Sequence, residues 1–336
     1  METADVLVLG LGPAGASAAA EAARRGCKVV ALDRKREAGR PVQCAELVPA
    51  LLEVEAGAVR QRVGSMVTFV EDDAPHVSAD FPGRMLDRAA FDAALVEAAR
   101  RAGAQIRFSC FIRRMTPEVE LADGSTLRAP VIIGADGPRS RAGKAIGSVN
   151  SALVETRQIS VGLRQAHAAT DIFLSADIPG GYGWLFPKGD AANLGAGVSP
   201  AHKGRLKSIV SGLHSRLIRE QRLERSILAL TGGAIPVGGM LKPRGRLENT
   251  TVLLAGDAAG LANPVTGAGI AAAVHSGRLA GQAAATGEFA QYEEELEDVY
   301  RAALERALAR RRELLQSKLE KAALRRGWIA YPEYWQ

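Results

Sequence analysis

Short apolar runs rich in branched residues recur along this chain, and each ends at a glycine or an aspartate. They occupy residues 5–9, 28–32, 131–133 and 251–255. Such runs, without alternating polar residues, are typical of strands buried on both faces of a parallel sheet. The pattern therefore predicts an α/β fold organised around a parallel sheet.

Helical periodicity fills the intervals between these runs. An alanine-rich segment covers residues 13–26, and apolar residues recur at helical spacing in 87–103, with Asp at the predicted N-cap. Small residues predict a further helix over 270–285, and 292–326 is predicted as a long charged helix or helix pair. Asp123-Gly124 suits the turn of a hairpin, which predicts a β-meander as one crossover of the sheet.

Residues 151–247 have a different pattern. Alternating segments at 159–165, 182–187 and 193–199 predict a mostly antiparallel sheet, with one helix at about 203–223. The fold class is therefore α/β: a Rossmann-like lobe with a parallel sheet and a β-meander crossover, an antiparallel α+β lobe, and a C-terminal helical segment. The predicted boundaries are 1–60, 84–150 and 248–286 for the first lobe, 61–83 and 151–247 for the second, and 287–336 for the C-terminal segment.

Composition narrows the class of protein. The 336 residues are 47% hydrophobic and 24% charged, which is typical of a globular domain with a large core. The net charge of +6 is too small to indicate nucleic-acid binding. No run of about twenty residues lacks charge, and the first strand begins near Asp5, so neither a membrane span nor a signal peptide is expected. Three scattered cysteines and five histidines without ligand spacing predict a reducing, cytoplasmic location and no metal site.

The first strand leads into the motif Gly10-Leu-Gly12-Pro-Ala-Gly15, and the second ends at Asp33. Glycines allow the chain to turn sharply and to approach a pyrophosphate closely, and Gly15 lets the next helix pack against the strand. The helix N-terminus supplies amide donors for phosphate, and Asp33 lies where this fold binds a ribose hydroxyl. The arrangement predicts a dinucleotide site.

Two further motifs follow the later strands: Ala135-Asp136-Gly137, and Gly256-Asp257 with a glycine-rich loop that opens a helix. Together with the first motif they resemble the FAD-dependent enzymes of the p-hydroxybenzoate hydroxylase fold group. The run GDAAGLANPVTGAGI, the segment Tyr182–Pro187 and the loop Pro41–Leu47 resemble the geranylgeranyl reductase family most closely. This resemblance covers nearly the whole chain.

The resemblance implies FAD as the cofactor and assigns a role to each matching position. Independently of it, a helix N-terminus at Gly269 and Ile270 would favour the negative charge that a reduced flavin develops. The loop has Ala45 and Leu47 where the family usually has glycine. The implied cofactor-binding residues are Gly10, Gly12, Pro13, Ala14, Gly15, Asp33, Cys44, Ala45, Leu47, Arg88, Ile112, Asp136, Gly256, Asp257, Pro264, Gly267, Gly269 and Ile270.

The reaction that the resemblance implies is hydride transfer from flavin N5 to an alkene of an isoprenoid or related lipid. Cys44 and Tyr182 are the candidate proton donors, with ordered water as a third. Tyr182, Trp184 and Phe186 recur at period two, so they line a substrate cavity or pack in the core. NAD(P)H or a ferredoxin-like protein would supply electrons, because the chain has a single nucleotide motif.

Two other functions fit the same motifs. A monooxygenase that acts on aromatic or polyketide substrates through a flavin hydroperoxide shares the fold, and a non-catalytic flavin-binding or lipid-carrier protein would share the cofactor site. A halogenase is disfavoured because no lysine occurs between Lys35 and Lys144. The oligomeric state has no sequence signal.

The C-terminal segment is basic, with nine Lys or Arg against three Glu in residues 301–327. Leu304, Leu308, Leu315 and Leu319 would form an apolar stripe along it. A peripheral contact with the inner face of an anionic membrane is therefore a further hypothesis.

Overall fold

A computed structural model describes residues 1–316 and 320–336. The helices are α1 (Pro13–Arg24), α2 (Arg88–Arg101), α3 (Arg141–Ala145), α4 (Leu206–Arg219), α5 (Ile270–Thr286), α6 (Phe289–Gln316) and α7 (Lys321–Arg326). The strands are β1 (Glu2–Thr3), β2 (Val6–Leu9), β3 (Val29–Leu32), β4 (Leu47–Pro49), β5 (Val59–Val63), β6 (Ser65–Val70), β7 (His76–Ser78), β8 (Gly83–Leu86), β9 (Gln105–Arg107), β10 (Ile112–Met115), β11 (Glu118–Leu121), β12 (Thr126–Arg128), β13 (Val131–Gly134), β14 (Leu153–Leu163), β15 (Ala169–Leu174), β16 (Gly183–Lys188), β17 (Ala191–Val198), β18 (Leu223–Pro236), β19 (Arg244–Leu247) and β20 (Thr250–Leu254).

The four apolar runs form the centre of a six-stranded sheet in the order β19-β20-β13-β2-β3-β9. All neighbours in it pair in parallel except β19, which is antiparallel to β20. Every residue of β2, β3, β13 and β20 is buried, as expected for strands with helices on both faces. The predicted Rossmann-like lobe is confirmed.

The meander β10-β11-β12 lies in the connection from β9 to β13 and forms a separate sheet with β1. Its central hairpin turns at Gly124, where φ is +87°. A crossover made of strands is unusual in a parallel sheet, which normally uses helices. The predicted β-meander crossover is therefore confirmed, both in its position along the chain and in its being built of strands.

The second large sheet has seven strands in the order β18-β14-β17-β16-β15-β6-β7. Its pairs are antiparallel except β15 with β6. Helix α4 packs on one face and buries Val210 and Leu217. The other face turns toward the parallel sheet. The predicted antiparallel lobe is confirmed as part of the fold class.

The sheets divide the chain differently from the predicted boundaries at two places. Residues 244–247 pair with β20 at the edge of the parallel sheet, and residues 59–63 pair with β8 in a small sheet with β4. The division into domains stays a prediction.

The C-terminal helices pack onto the body of the protein. Leu304 is 5% exposed within the main core, and Leu308 is half-buried beside Gly239. Leu315 is exposed, and Leu319 lies outside the described residues. The predicted apolar stripe therefore faces the protein over its first two members, because the body of the molecule covers it. Within the described ranges, no helix has the length and hydropathy to cross a membrane.

Candidate active site

A cavity of about 720 Å³ opens at the carboxyl ends of the parallel strands and extends to the face of the antiparallel sheet. Ligands of open parallel sheets bind outside these strand ends. Its walls come from the loops after β2, β3 and β13, the loop between β20 and α5, strands β14, β15, β16 and β18, and residues 328–329. Both lobes therefore contribute to one space of the size of a ligand-binding cavity.

The glycines of the first motif have different tasks. A Cβ on Gly15 would lie 1.8 Å from the Gly10 carbonyl oxygen, and a Cβ on Gly10 would lie 2.3 Å from that of Ala135. These two positions are closed by packing. At Gly12, which lines the cavity, a Cβ would meet nothing within 4 Å, and α1 begins directly after it at Pro13. The backbone amides at this helix N-terminus thus face open space that suits a phosphate.

Asp33 lies at the end of β3 and is 8% exposed. Its carboxylate accepts hydrogen bonds from the Leu11 amide at 2.7 Å and the Lys35 amide at 2.8 Å, one on each oxygen. These bonds hold it beside the glycine turn, and each oxygen keeps a further lone pair. Six predicted cofactor residues are not among those that line the cavity: Gly10, Gly15, Asp33, Ile112, Gly256 and Pro264.

The loop between β20 and α5 forms the opposite wall. The Asn263 side chain accepts hydrogen bonds from the amides of Val265 and Thr266, at 2.9 and 3.0 Å, and so fixes the turn before α5. Helix α5 begins at Ile270 with Gly269 at its N-cap, where no side chain caps the amides. Both residues line the cavity, as does Gly267. A second helix N-terminus is therefore aimed at the same space.

Asp257 lies beside this helix start, with its Oδ1 3.2 Å from where a Cβ on Gly269 would be. Burial raises the pKa of its carboxyl to about 6, against the opposing effect of Arg88. Because this polar group is half-buried in the cavity wall, the site favours a ligand with hydroxyl donors there.

The loop at Cys44 connects the two walls. The Cys44 sulfur accepts a hydrogen bond from the Glu46 amide at 3.1 Å, and the Cys44 carbonyl accepts one from Gln158 Nε2 at 3.1 Å. Asn193 donates to the Ala45 carbonyl at 3.3 Å. Strands β14 and β17 thus hold the loop in place, with Cys44, Ala45 and Leu47 in the cavity wall.

Arg88 is half-buried at the start of α2, with its side chain 12% exposed, and forms an ion pair with Asp92 at 3.0 Å. Burial lowers the pKa of this guanidinium, but the neighbouring Cys44 sulfur and Asp92 carboxylate raise it by more, so the net shift is upward. Burial also raises the pKa of Asp92. A fixed positive charge therefore lies beside Cys44.

Glu46 forms a buried network that the sequence did not reveal. It is 3% exposed, has a positive φ of 71°, and binds Lys188 Nζ at 2.7 and 2.8 Å and Asn193 Nδ2 at 2.7 Å. Its Oε1 also accepts from the Arg88 amide at 3.1 Å. Its side-chain partners Lys188 and Asn193 lie more than 140 residues away in sequence, so no local pattern indicates them. The network anchors the Cys44 loop to the hairpin of β16 and β17.

Aromatic side chains cover the antiparallel side of the cavity. Tyr182, Trp184 and Phe186 line it together with Trp328, whose ring centroid is 4.8 Å from that of Tyr182. The Tyr182 hydroxyl donates to the Thr266 carbonyl at 2.5 Å, and burial, with a smaller contribution from Cys44, raises its pKa. Trp184 Nε1 donates to Gln158 at 3.0 Å. Sequence reasoning missed Trp328 and Ile329, because nothing local relates residues after α7 to this cavity.

The arrangement fits FAD on features of the structure itself. Gly12 leaves a cradle that a Cβ would fill, two helix N-termini point into the cavity, and Asp33 and Asp257 keep free acceptor positions near them. The described residues contain no cluster of His, Cys, Asp and Glu that could hold a metal ion. The fold and site define an FAD-dependent oxidoreductase.

Comparison with known families gives the particular group. Residues 3–177 match the model of an FAD binding domain, and residues 152–235 match the geranylgeranyl reductase catalytic domain. The chain belongs to the geranylgeranyl reductase family of FAD-dependent oxidoreductases. This confirms the resemblance, the enzyme class and the cofactor predicted from sequence.

Among its relatives, the digeranylgeranylglycerophospholipid reductase of Methanosarcina acetivorans is 31% identical, over 88% of this chain and 79% of the relative. Reductase 2 of the same name from Methanopyrus kandleri is 37% identical, over 84% and 76%. A geranylgeranyl bacteriochlorophyll reductase-like structure from Thermoplasma acidophilum superposes with a TM-score of 0.83 at 24% identity, covering 96% of this chain and 90% of the other. That last likeness confirms the fold.

Proposed function

We propose that this protein reduces carbon–carbon double bonds in the isoprenoid chains of a digeranylgeranyl glycerophospholipid. The observation that carries the proposal is the continuity of one cavity from the helix N-terminus at Gly269 to the aromatic wall of Tyr182, Trp184 and Phe186. Apolar aromatic walls suit an alkyl chain, and the curated relatives are reductases of such a lipid.

FAD, when bound and reduced, supplies a hydride. The chain's own residues bind, orient and shield the reactants. The amides of Gly269 and Ile270 would stabilise negative charge at the pyrimidine end of the flavin, and those after Gly12 would hold the pyrophosphate. Asp33 and Asp257 would bind ribose and ribityl hydroxyls. The aromatic wall would hold the alkene and exclude water. The remaining predicted cofactor residues keep their proposed roles.

We assign the proton to Cys44 as first candidate. Cys44 lines the cavity, and its sulfur accepts a hydrogen bond from the Glu46 amide, so the thiol proton is not used in that bond and is free for a substrate. Tyr182 is the second candidate, but its hydroxyl proton is directed to the Thr266 carbonyl. Ordered water is the third.

The electron donor in this proposal is NAD(P)H or a ferredoxin-like protein that binds transiently. We also propose a cytoplasmic location with peripheral membrane contact, since the substrate is a membrane lipid. The division of the chain into a discontinuous cofactor domain, a substrate domain and a C-terminal segment is part of the same proposal.

The test is anaerobic. The reduced FAD-loaded enzyme is mixed with a digeranylgeranyl phospholipid in detergent, and the absorbance of oxidised flavin is followed while the lipid's mass is measured. We expect the band to return and the mass to rise by two hydrogens for each bond reduced. The fully saturated lipid with the same headgroup is the control. Reoxidation only in air would refute the proposal in favour of a monooxygenase, and no response to any lipid would indicate a flavin-binding carrier.

The variant Cys44→Ala distinguishes the proton donors. With Cys44 as donor, turnover falls while the FAD content and the KM for the lipid stay near those of the wild type. The matched variant Tyr182→Phe should retain turnover. The opposite ranking of the two variants would reassign the proton to Tyr182, and retained turnover in both would assign it to water.

A further inference from the structure

An exposed apolar segment lies on the edge of the antiparallel sheet. Strand β18 is the outermost strand there, and its residues 224–230 are all exposed. Ile227, Leu228 and Leu230 are 56%, 63% and 58% exposed, so three large aliphatic side chains meet solvent within four residues. Single exposed apolar residues are ordinary on protein surfaces, but a cluster indicates an interaction surface.

The same strand continues directly into the wall of the cavity. Residues 231–235 line the cavity, as does Val42. The Thr231 hydroxyl donates a hydrogen bond to the Val42 carbonyl at 2.6 Å. A strand rises about 3.3 Å per residue, so Leu228 lies only about 10 Å along the strand from Thr231. A lipid chain held at the exposed segment is therefore close to the space that receives it.

Basic side chains outnumber acidic ones on the elements next to this segment. Residues 202–230 carry seven basic and two acidic side chains, and four of the basic ones form ion pairs with carboxylates: Lys203, Arg205, Arg216 and Arg222. Helix α4, which packs against β18, contains no acidic residue. Lys207, Arg219 and Arg225 are exposed and form no ion pair with any residue that the structure describes. Such charge complements anionic lipid headgroups at about 1 kcal/mol per basic residue close to the surface.

We propose that residues 224–230, together with Lys207 and Arg219, dock on the surface of an anionic phospholipid membrane. We call residues 224–230 the docking strand. Interfacial segments bury their apolar side chains about 5–10 Å into the headgroup region, so docking would bring the cavity wall at Thr231, about 10 Å along the strand from Leu228, close to the membrane surface. The inference rests on the proposed function, because a membrane lipid must reach the cavity. It assigns membrane contact to the docking strand and not to the leucine stripe of α6.

The test uses the FAD-loaded full chain and vesicles of phosphatidylcholine with or without about one third phosphatidylglycerol. One variant combines Ile227→Ser, Leu228→Ser and Leu230→Ser. A second combines Lys207→Gln, Arg219→Gln and Arg225→Gln, which leaves the apolar segment intact. The matched control combines Val77→Ser, Phe111→Ser and Val299→Ser, which are 58%, 56% and 53% exposed elsewhere on the surface.

We expect the wild type and the control to float with anionic vesicles and the serine variant to lose at least about tenfold in partitioning. The glutamine variant should lose its preference for anionic over neutral vesicles. FAD content and reduction of the lipid in detergent should stay unchanged in both, which separates this inference from the proposed function. Wild-type binding in the serine variant would overturn the inference. So would a wild-type dimer that the serine variant dissociates, because the strand would then pair with a second copy.

Discussion

Asp257→Asn is expected to make the stability of the FAD-free protein less sensitive to pH. Asp257 is half-buried in the cavity wall, and the loss of solvent around its carboxyl raises the pKa from 3.8 to about 6 in the folded chain. A raised folded pKa means that the folded state prefers the protonated carboxyl. The stability from this preference is present below the unfolded pKa near 4 and is lost as the pH rises to about 6.

The magnitude follows from the size of the shift. About two pKa units correspond to about 3 kcal/mol at neutral pH, of which about 2 kcal/mol is lost between about pH 4.5 and about pH 7.5. Asparagine carries no charge at either pH and keeps a similar shape. Relative to the wild type, the variant should therefore gain about 2 kcal/mol in the free energy of unfolding over this interval.

Urea unfolding followed by circular dichroism at both pH values measures this difference on FAD-free protein. Asp80→Asn, at an exposed position, is the matched control and should follow the wild type. Parallel pH dependences of Asp257→Asn and the wild type would refute the reasoning, because they would show that Asp257 is ionised without cost in the folded protein.

Three further predictions concern the walls of the cavity. Gly12→Val should lower FAD affinity, measured by flavin fluorescence titration, with little change in the free energy of unfolding. Gly15→Val should lower the free energy of unfolding by about 3 kcal/mol, because its side chain meets the Gly10 carbonyl. Equal destabilisation by both variants would contradict the assignment. Lys188→Met should lower the free energy of unfolding, measured in urea, by about 3 kcal/mol, since it leaves the Glu46 carboxylate buried without its charge partner. Adding Glu46→Gln should restore part of this stability. No such rescue would argue against the network. Trp328→Ala should raise the KM for the lipid while FAD content stays constant, and an unchanged KM would remove Trp328 from the substrate wall.

The two helix starts that face the cavity could be predicted because their signals are local. The turn at Gly12 and the helix start at Gly269 each lie within one short motif that follows a buried strand. Backbone geometry and helix dipoles depend on the same few residues, so the local sequence is enough to predict the turn and the helix start. The parallel sheet was predictable for the same reason.

The substrate side depended on contacts between distant parts of the chain. Glu46 meets Lys188 and Asn193 only because the second sheet folds over the Cys44 loop. Leu304 and Leu308 show the same limit, because helical spacing defines an apolar stripe without naming the surface that covers it. Which of the predicted residues bind FAD or the lipid stays a prediction.

Arg311 attaches the C-terminal helix α6 to two loops, the one between β15 and β16 and the one between β20 and α5. It is 7% exposed, and its guanidinium donates to the Gly180 carbonyl at 2.7 Å and the Pro264 carbonyl at 3.3 Å. Burial lowers its pKa to about 10, and no carboxylate of the described residues pairs with it. At residue 264 the bond is made to a backbone carbonyl, so the attachment does not depend on the side chain there. Residue 180 is restricted to glycine, because its φ is +77° and a Cβ would lie 2.9 Å from the Ser199 Cβ. The helix is therefore held by the backbone course of two loops and not by their side chains.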